Sequence, residues 1–120
     1  MIRIVKYQEE TKIKSVDTAI MVDASALIGQ YNWGQANDQL KLLNSLNYKG
    51  YSDWRLPTKD ELNVLYLNKD FVGGFSTYLY WSSSEYNADY AWYQNFTNGG
   101  QNYGSKLNYG YVRCVRSLTI

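Results

Sequence analysis

The chain has 120 residues, 45% hydrophobic and 17% aromatic, with a formal net charge of +1. That length builds one modest core in a single domain, residues 1–120, and scattered Lys and Arg give no basic face for nucleic acid. With no His and with Cys114 as the single cysteine, the chain lacks the commonest general base and transition-metal ligand, any intrachain disulfide and a Cys-based zinc site.

At the N-terminus, Ile2 and Ile4 flank Arg3 and Val5 and Tyr7 flank Lys6, an alternation that predicts a short strand. Nothing there resembles a signal peptide, and no apolar run reaches membrane-spanning length, so no membrane insertion is expected. Lys12 to Val22 reads as short extended pieces. Asn32 to Leu46 is a predicted helix, capped by Asn32, with Trp33, Ala36, Leu40, Leu43 and Leu46 on one stripe. Asn47 to Asp53 is a loop punctuated by Gly50. A second helix starts at the capping box of Thr58 and Glu61, with Leu62, Leu65 and Tyr66 on its buried side. Pro57 keeps Leu56 out of helical geometry just before it. Asn68 to Thr77 reads as loop around Gly73-Gly74. Tyr78 to Ser84, Tyr90 to Phe96 and Tyr111 to Leu118 are predicted strands, rich in Tyr, Trp, Phe and Val. The expected class is α+β, with two early helices and short antiparallel strands joined by long loops.

Four segments stand in a distinctive order: Asp53-Trp54-Arg55-Leu56-Pro57-Thr58 with Glu61-Leu62; Tyr80-Trp81-Ser82-Ser83-Ser84-Glu85; Ala91-Trp92 with Phe96; and Val112-Arg113-Cys114-Val115-Arg116. From about Trp33 to Arg116 this set resembles the Lcl C-terminal-like domain family, while residues 1–32 match it poorly. The resemblance implies a C-type-lectin-like fold of the formylglycine-generating-enzyme branch. Members of that family often pair a helix cysteine, seven residues after the Trp, with the cysteine of the final strand. Here the helix position is Leu40, which implies a packed contact with Cys114 and folding in a reducing compartment. Trp54, Leu56, Trp81, Trp92, Phe96 and Cys114 are expected in the core. Ser82 to Ser84 lack a histidine to activate them and are expected to hydrogen-bond locally to backbone.

Residues of about 85–111 use a palette of Tyr, Asn, Gly, Ser, Asp and Thr, as antibody loops do. Around Trp92, the residues Trp92, Gln94 and Phe96 alternate with Tyr93, Asn95 and Thr97, so one set can hold the scaffold while the other faces out. The pattern is similar to the variable proteins of diversity-generating retroelements, which mutate adenines in asparagine codons. Such codons reach Tyr, Asn, Ser, Gly, Asp, Thr, Leu and Ala but not Trp, Gln, Lys or Glu. The resemblance implies fixed posts at Trp81, Glu85, Trp92, Gln94, Gln101 and Lys106. Its ligand-binding candidates are Tyr86, Asp89, Tyr90, Tyr93, Thr97, Gly100, Asn102, Tyr103, Ser105, Leu107, Asn108 and Tyr109. Among these, Tyr86, Tyr90, Tyr93, Tyr103 and Tyr109 are expected to share one exposed face. The expected partner is a protein or glycan on a cell or host surface, with the domain displayed on a phage particle in one setting the resemblance implies.

Two other function classes compete. An oxidase like the formylglycine-generating enzyme needs a cysteine pair, and only Cys114 is present. A calcium-dependent lectin needs clustered carboxylates, and the Glu-Pro-Asn and Trp-Asn-Asp triplets of sugar-binding C-type lectins are absent. The expectation is therefore a non-enzymatic binding domain without cofactor or metal; the alternative is a metal-independent glycan-binding adhesin without diversification.

Overall fold

The computed structural model describes residues 2–6 and 19–118. In chain order its elements are β1 (Arg3–Lys6), β2 (Ala19–Val22), α1 (Trp33–Ser45), α2 (Lys59–Leu67), α3 (Lys69–Val72), β3 (Leu79–Glu85), β4 (Tyr90–Asn95), β5 (Gln101–Ser105) and β6 (Val115–Leu118). A short 3-10 turn at Tyr48–Gly50 follows α1. The fold is α+β, with one three-stranded sheet ordered β1-β2-β6 and a second ordered β3-β4-β5.

Helix α1 starts as its sequence predicts. Asn32 accepts from the Gln35 N–H, and the Gln35 side chain accepts from the Asn32 N–H in return. Ala36 and Leu40 are buried, but Leu46 is 68% exposed because it is already the C-cap. Helix α2 is set by the expected Thr58–Glu61 capping box, and Leu62 and Leu65 are fully buried beneath it.

Glu61 does more than cap. It takes two hydrogen bonds from the Arg55 guanidinium, at 2.6 and 2.9 Å, while the backbone of Arg55 bridges to Val115, the first residue of β6. The pair thus ties the start of α2 to the β1-β2-β6 sheet. Burial alone would raise the Glu61 carboxyl, but Arg55 and the Thr58 N–H outweigh it and hold it below its ordinary value. A carboxylate depressed in the folded state stabilises fully above its unfolded value, roughly 4.3, and that contribution fades as pH falls through the lower folded value. Urea midpoints should therefore drop as pH is lowered below about 4, and Glu61→Gln should flatten that part of the profile.

Strand alternation divides the core in two. Met21, Trp81 and Cys114 join Ala36, Leu40, Trp54, Leu56, Ala91 and Val112 on the α1 side. Their chain neighbours Ile20, Val22, Tyr80 and Val115 join Leu62, Leu65 and Phe96 on the α2 side. β2 is buried at every position, which is why Ala-Ile-Met-Val reads as a continuous apolar run. Leu40 and Cys114 belong to the same cluster, in line with a packed contact between them. Burial, then the neighbouring Asp23 carboxylate, push the Cys114 thiol up.

Several elements differ from the sequence reading. The β1–β2 pair is parallel rather than antiparallel. A single helical turn, α3, occupies part of the predicted Asn68–Thr77 loop. β5 lies in a stretch read as a link; its Asn, Gly and Ser have low intrinsic strand preference, and pairing with β4 overrides it. The last predicted strand contracts to Val115–Leu118, with Tyr111 making an isolated bridge to Tyr80. Tyr7 and the extended pieces from Lys12 to Thr18 fall outside the described residues.

Candidate binding surface

The β3-β4-β5 sheet is built on a locked bulge. Register between β3 and β4 shifts between Trp81 and Glu85, across Ser82 to Ser84. Ser82 Oγ donates to Trp92 O at 2.6 Å, the Ser83 N–H donates to Pro57 O, and Ser84 Oγ accepts from the Lys59 N–H. The serines bond to backbone, but only Ser82 does so locally, with Ser84; the longer-range bonds of Ser83 and Ser84 join the sheet to the start of α2.

Register fixes which side chains share a face. Tyr90, Trp92 and Gln94 lie opposite Ser105, Tyr103 and Gln101, so these six residues share one face of β4 and β5. Tyr93 lies opposite Asn102 and Trp81 on the other face. On the first face, α2 covers the Gln94 end. Gln94 donates to Asn63 Oδ1 and Gly99 O, and Gln101 donates to Lys59 O and Gln94 Oε1. The other end runs past the start of α2 and carries an aromatic cluster.

Tyr86 and Tyr103 stack there with ring centres 3.8 Å apart and planes 7° from parallel. Trp92 meets both rings edge-on, at 6.1 and 5.4 Å, and Tyr90 packs edge-on against Tyr103 at 5.9 Å. The Lys59 ammonium sits 3.6 Å from the centre of the Trp92 ring. Tyr86, Tyr90 and Tyr103 remain 51%, 40% and 40% exposed. The Tyr103 hydroxyl is raised above its ordinary value, first by hydrogen bonding with Tyr86 and then by that neighbour's charge. Asp89 is exposed beside Tyr90, its N–H donating to Asn87 and its carbonyl accepting from Lys106.

The other candidates lie elsewhere. Tyr93 is half-buried, its ring edge-on to Trp81 at 6.2 Å, and Asn102 shares its face. Thr97 and Gly100 shape the β4–β5 turn, at the sheet end away from Tyr90. The Thr97 N–H donates to Asn95 and its hydroxyl to Thr77 O, and the Gly100 N–H donates to Asn98. Leu107, Asn108 and Tyr109 are exposed on the stretch leading to the Gly110–Tyr31 bridge. The expectation of five tyrosines on one face is therefore corrected to a cluster of three, Tyr86, Tyr90 and Tyr103. The 92/94/96 against 93/95/97 alternation holds, but alternation does not say where each face is covered. For the same reason Trp92 is half-buried rather than core, whereas Trp54, Leu56, Trp81, Phe96 and Cys114 are buried.

Lys59 and Asn63 were not among the candidates. Lys59 had a sequence signal, as the first helical residue after Thr58, but its meeting with Trp92 depends on tertiary register. The posts Gln94, Gln101 and Lys106 each join separate segments. Lys106 donates to Ala88 O and Glu85, and its ammonium lies 4.4 Å from the Trp33 ring centre. Gly99 has φ +83°, and a Cβ there would run into the Tyr66 ring. Among the described residues no group of three or more Cys, Asp or Glu could hold a metal ion, and no helix is long and apolar enough to cross a membrane.

An α+β domain that supports a solvent-facing aromatic patch on one end of a sheet is consistent with a ligand-binding or recognition domain. The chain belongs to the Lcl C-terminal domain family, whose model matches residues 9–116. The match reaches well before Trp33, through β2, a buried apolar run without a signature motif of its own. No curated relative matches the chain.

Proposed function

We propose that this is a non-enzymatic recognition domain whose binding face centres on Tyr86, Tyr90 and Tyr103 over Trp92. The observation that carries the reading is the cluster itself: three tyrosines, 40–51% exposed, stand on an end of the sheet whose other end is locked to α2. Tyr offers large contact area with few rotors, and the neighbouring Ser105, Asp89 and Asn87 add adaptable polar groups. The partner is a protein rather than a glycan. A sugar ring stacks on an open aromatic face, whereas Lys59 occupies one face of Trp92 and Tyr86 and Tyr103 press theirs together. Panning the displayed domain against cell-surface protein extracts, beside a glycan array, tests this. Protein binding lost in Tyr103→Ser supports it; binding on the glycan array alone overturns it in favour of an adhesin.

The finer reading is a variable protein of a diversity-generating retroelement. Its support is that Tyr86, Asp89, Tyr90, Tyr103 and Ser105, all reachable from asparagine codons, lie around posts of Trp92, Gln101 and Lys106, which are not. An A-rich near-copy of the coding region for Glu85 to Leu118, beside a reverse transcriptase gene, is the expected genomic arrangement. Its absence from the gene's neighbourhood would leave a recognition domain without diversification.

A further inference from the structure

The two edges of the β3-β4-β5 sheet differ. On the β3 side, the Trp81 N–H donates to Tyr111 O and the Ser83 N–H to Pro57 O, so the returning chain and the start of α2 cover that edge. β5 is the last strand on the other side. The Asn95 N–H donates to Gly100 O and the Lys106 N–H to Asp89 O, which sets the phase of the ladder between β4 and β5. Asn102 and Gly104 are then the β5 residues that exchange bonds with β4, through Tyr93 and Ala91. Gln101, Tyr103 and Ser105 turn their backbone N–H and C=O outward. Two contacts agree with this phase: the Tyr103 N–H donates to the Asn102 side chain at 2.8 Å, and Ser105 O accepts from the Asn108 N–H. The Gln101 N–H and C=O, the Tyr103 C=O and the Ser105 N–H have no partner among the described residues.

An unpaired edge is a template for another chain, and proteins usually blunt it with charge, Pro or a bulge. β5 reads Gln-Asn-Tyr-Gly-Ser, with no charge and no Pro, and it pairs with β4 without a register shift. Its one local cap, the Asn102 side chain, belongs to an exposed residue that can rotate away. The side chains of Gln101, Tyr103 and Ser105 share the α2 face, so a strand added at this edge sets alternate side chains beside them. Beside Tyr103 stands the aromatic cluster. Beside Gln101 opens a cavity of about 570 Å³, walled by Ile2 and Val64 and by the polar side chains of Asp60, Asn63 and Asn68. Asp60 is exposed and has no ion-pair partner among the described residues, while the neighbouring cation, Lys59, is held over Trp92. The cavity thus offers an apolar wall for an aliphatic stem and a carboxylate with carboxamides for a cationic head.

We propose that the β5 edge binds an extended segment of the protein partner as a fourth strand, with a Lys or Arg side chain of that segment seated in the cavity against Asp60. In antiparallel register, the segment residue opposite Gln101 exchanges two backbone bonds with it and carries the basic side chain. The residue two positions earlier lies opposite Tyr103 and packs on the Tyr86–Tyr103 cluster. Main-chain bonds then supply affinity, and the two alternate side chains supply specificity. This inference deepens the reading of the aromatic cluster as a protein-binding face and rests on it.

The test pans the folded domain with a phage-displayed library of random linear peptides and titrates the enriched sequences, as synthetic peptides, into the ¹⁵N-labelled protein. Enriched peptides should carry Lys or Arg two positions after an aromatic or β-branched residue. Their binding should slow hydrogen exchange at the Gln101, Tyr103 and Ser105 amides. N-methylation of the basic residue's amide should weaken binding at least about tenfold, whereas N-methylation of the residue before it, whose N–H points away from β5, should not. Asp60→Lys, at an exposed position, should lose the basic peptides and bind those in which Glu replaces the basic residue. Peptides lost in Tyr103→Ser but indifferent to either N-methylation would overturn the edge and leave the aromatic face standing. No enriched peptide would also overturn it, with the aromatic face then judged by the protein panning alone. Protection of the Gln101 amide by self-association, without peptide, would give the edge to a second copy of this chain instead. Basic peptides bound equally by Asp60→Lys would overturn the role of the cavity.

Discussion

Trp81→Ala should lower the unfolding free energy by about 3–5 kcal/mol, the range for a large buried aromatic. Trp81 is fully buried in the α1-side core, and its indole N–H donates to Tyr31 O at 2.9 Å. Its backbone N–H donates to Tyr111 O, so the residue stands where β3, the Tyr31 segment and the returning chain meet. Truncation leaves a cavity and removes one of the bonds that hold the Tyr31 segment, which keeps its bridge to Gly110. Trp81→Phe separates the two losses: it keeps most of the ring volume and should cost roughly 1–2 kcal/mol, near the value of one hydrogen bond plus imperfect packing. Tyr86→Ser, on the exposed cluster, forfeits the stack on Tyr103 and the edge contact with Trp92 and should cost about 1 kcal/mol. Urea unfolding of the three variants measures the order; a Tyr86 variant as damaging as Trp81→Ala would mean that the cluster is core.

Lys49→Met should cost about 3 kcal/mol, the low end for breaking a buried pair, because Asp23 keeps hydrogen bonds from Tyr48, the Ala24 N–H and the Cys114 thiol. Asp23 is 1% exposed, whereas the Lys49 side chain keeps a quarter of its surface, so solvent screens part of the loss. The interaction also holds backbone strain. Lys49 has φ +53°, in the left-handed region that a lysine disfavours by roughly 1 kcal/mol or more, while Asn47, at the same φ, tolerates it better. Lys49→Gly removes the cation but relieves that strain. It should therefore be less destabilising than Lys49→Met by about 1 kcal/mol. Equal losses in the two variants would show that the ion pair does not hold the turn.

The parts of the fold legible in sequence are those encoded locally. Asn32 as a cap and Thr58 with Glu61 as a capping box announce both long helices, because a cap is a contact within the first turn, and the structure adds Gln35 as the partner of Asn32. The buried aromatics Trp54, Trp81 and Phe96 follow from their apolar bulk. What depends on distant partners was not legible. β5 forms only because β4 offers an edge, and the parallel β1–β2 pairing is set by tertiary packing. The candidate surface divides along the same line. The alternation of Trp92 and Tyr93 correctly assigns them to opposite faces. Yet the position of α2 decides that Gln94 is sealed while Trp92, two residues earlier, opens to solvent. Tyr93 looks as exposed as Tyr103 in sequence and is half-buried because Trp81 lies across the strand from it.

A displayed library randomised at Tyr86, Asp89, Tyr90, Tyr103 and Ser105, with Trp81, Trp92, Gln94, Gly99 and Gln101 held fixed, tests the central claim most directly. It is sorted once for folded display and separately for binding to unrelated proteins. Most members should fold, since the fixed residues carry the packing and the hydrogen bonds. Binders should emerge, with one or two central aromatic positions carrying most of each affinity. Widespread loss of folded display, or a folded library that yields no binders while one randomised at Tyr93, Asn102, Asn108 and Tyr109 does, would contradict the account.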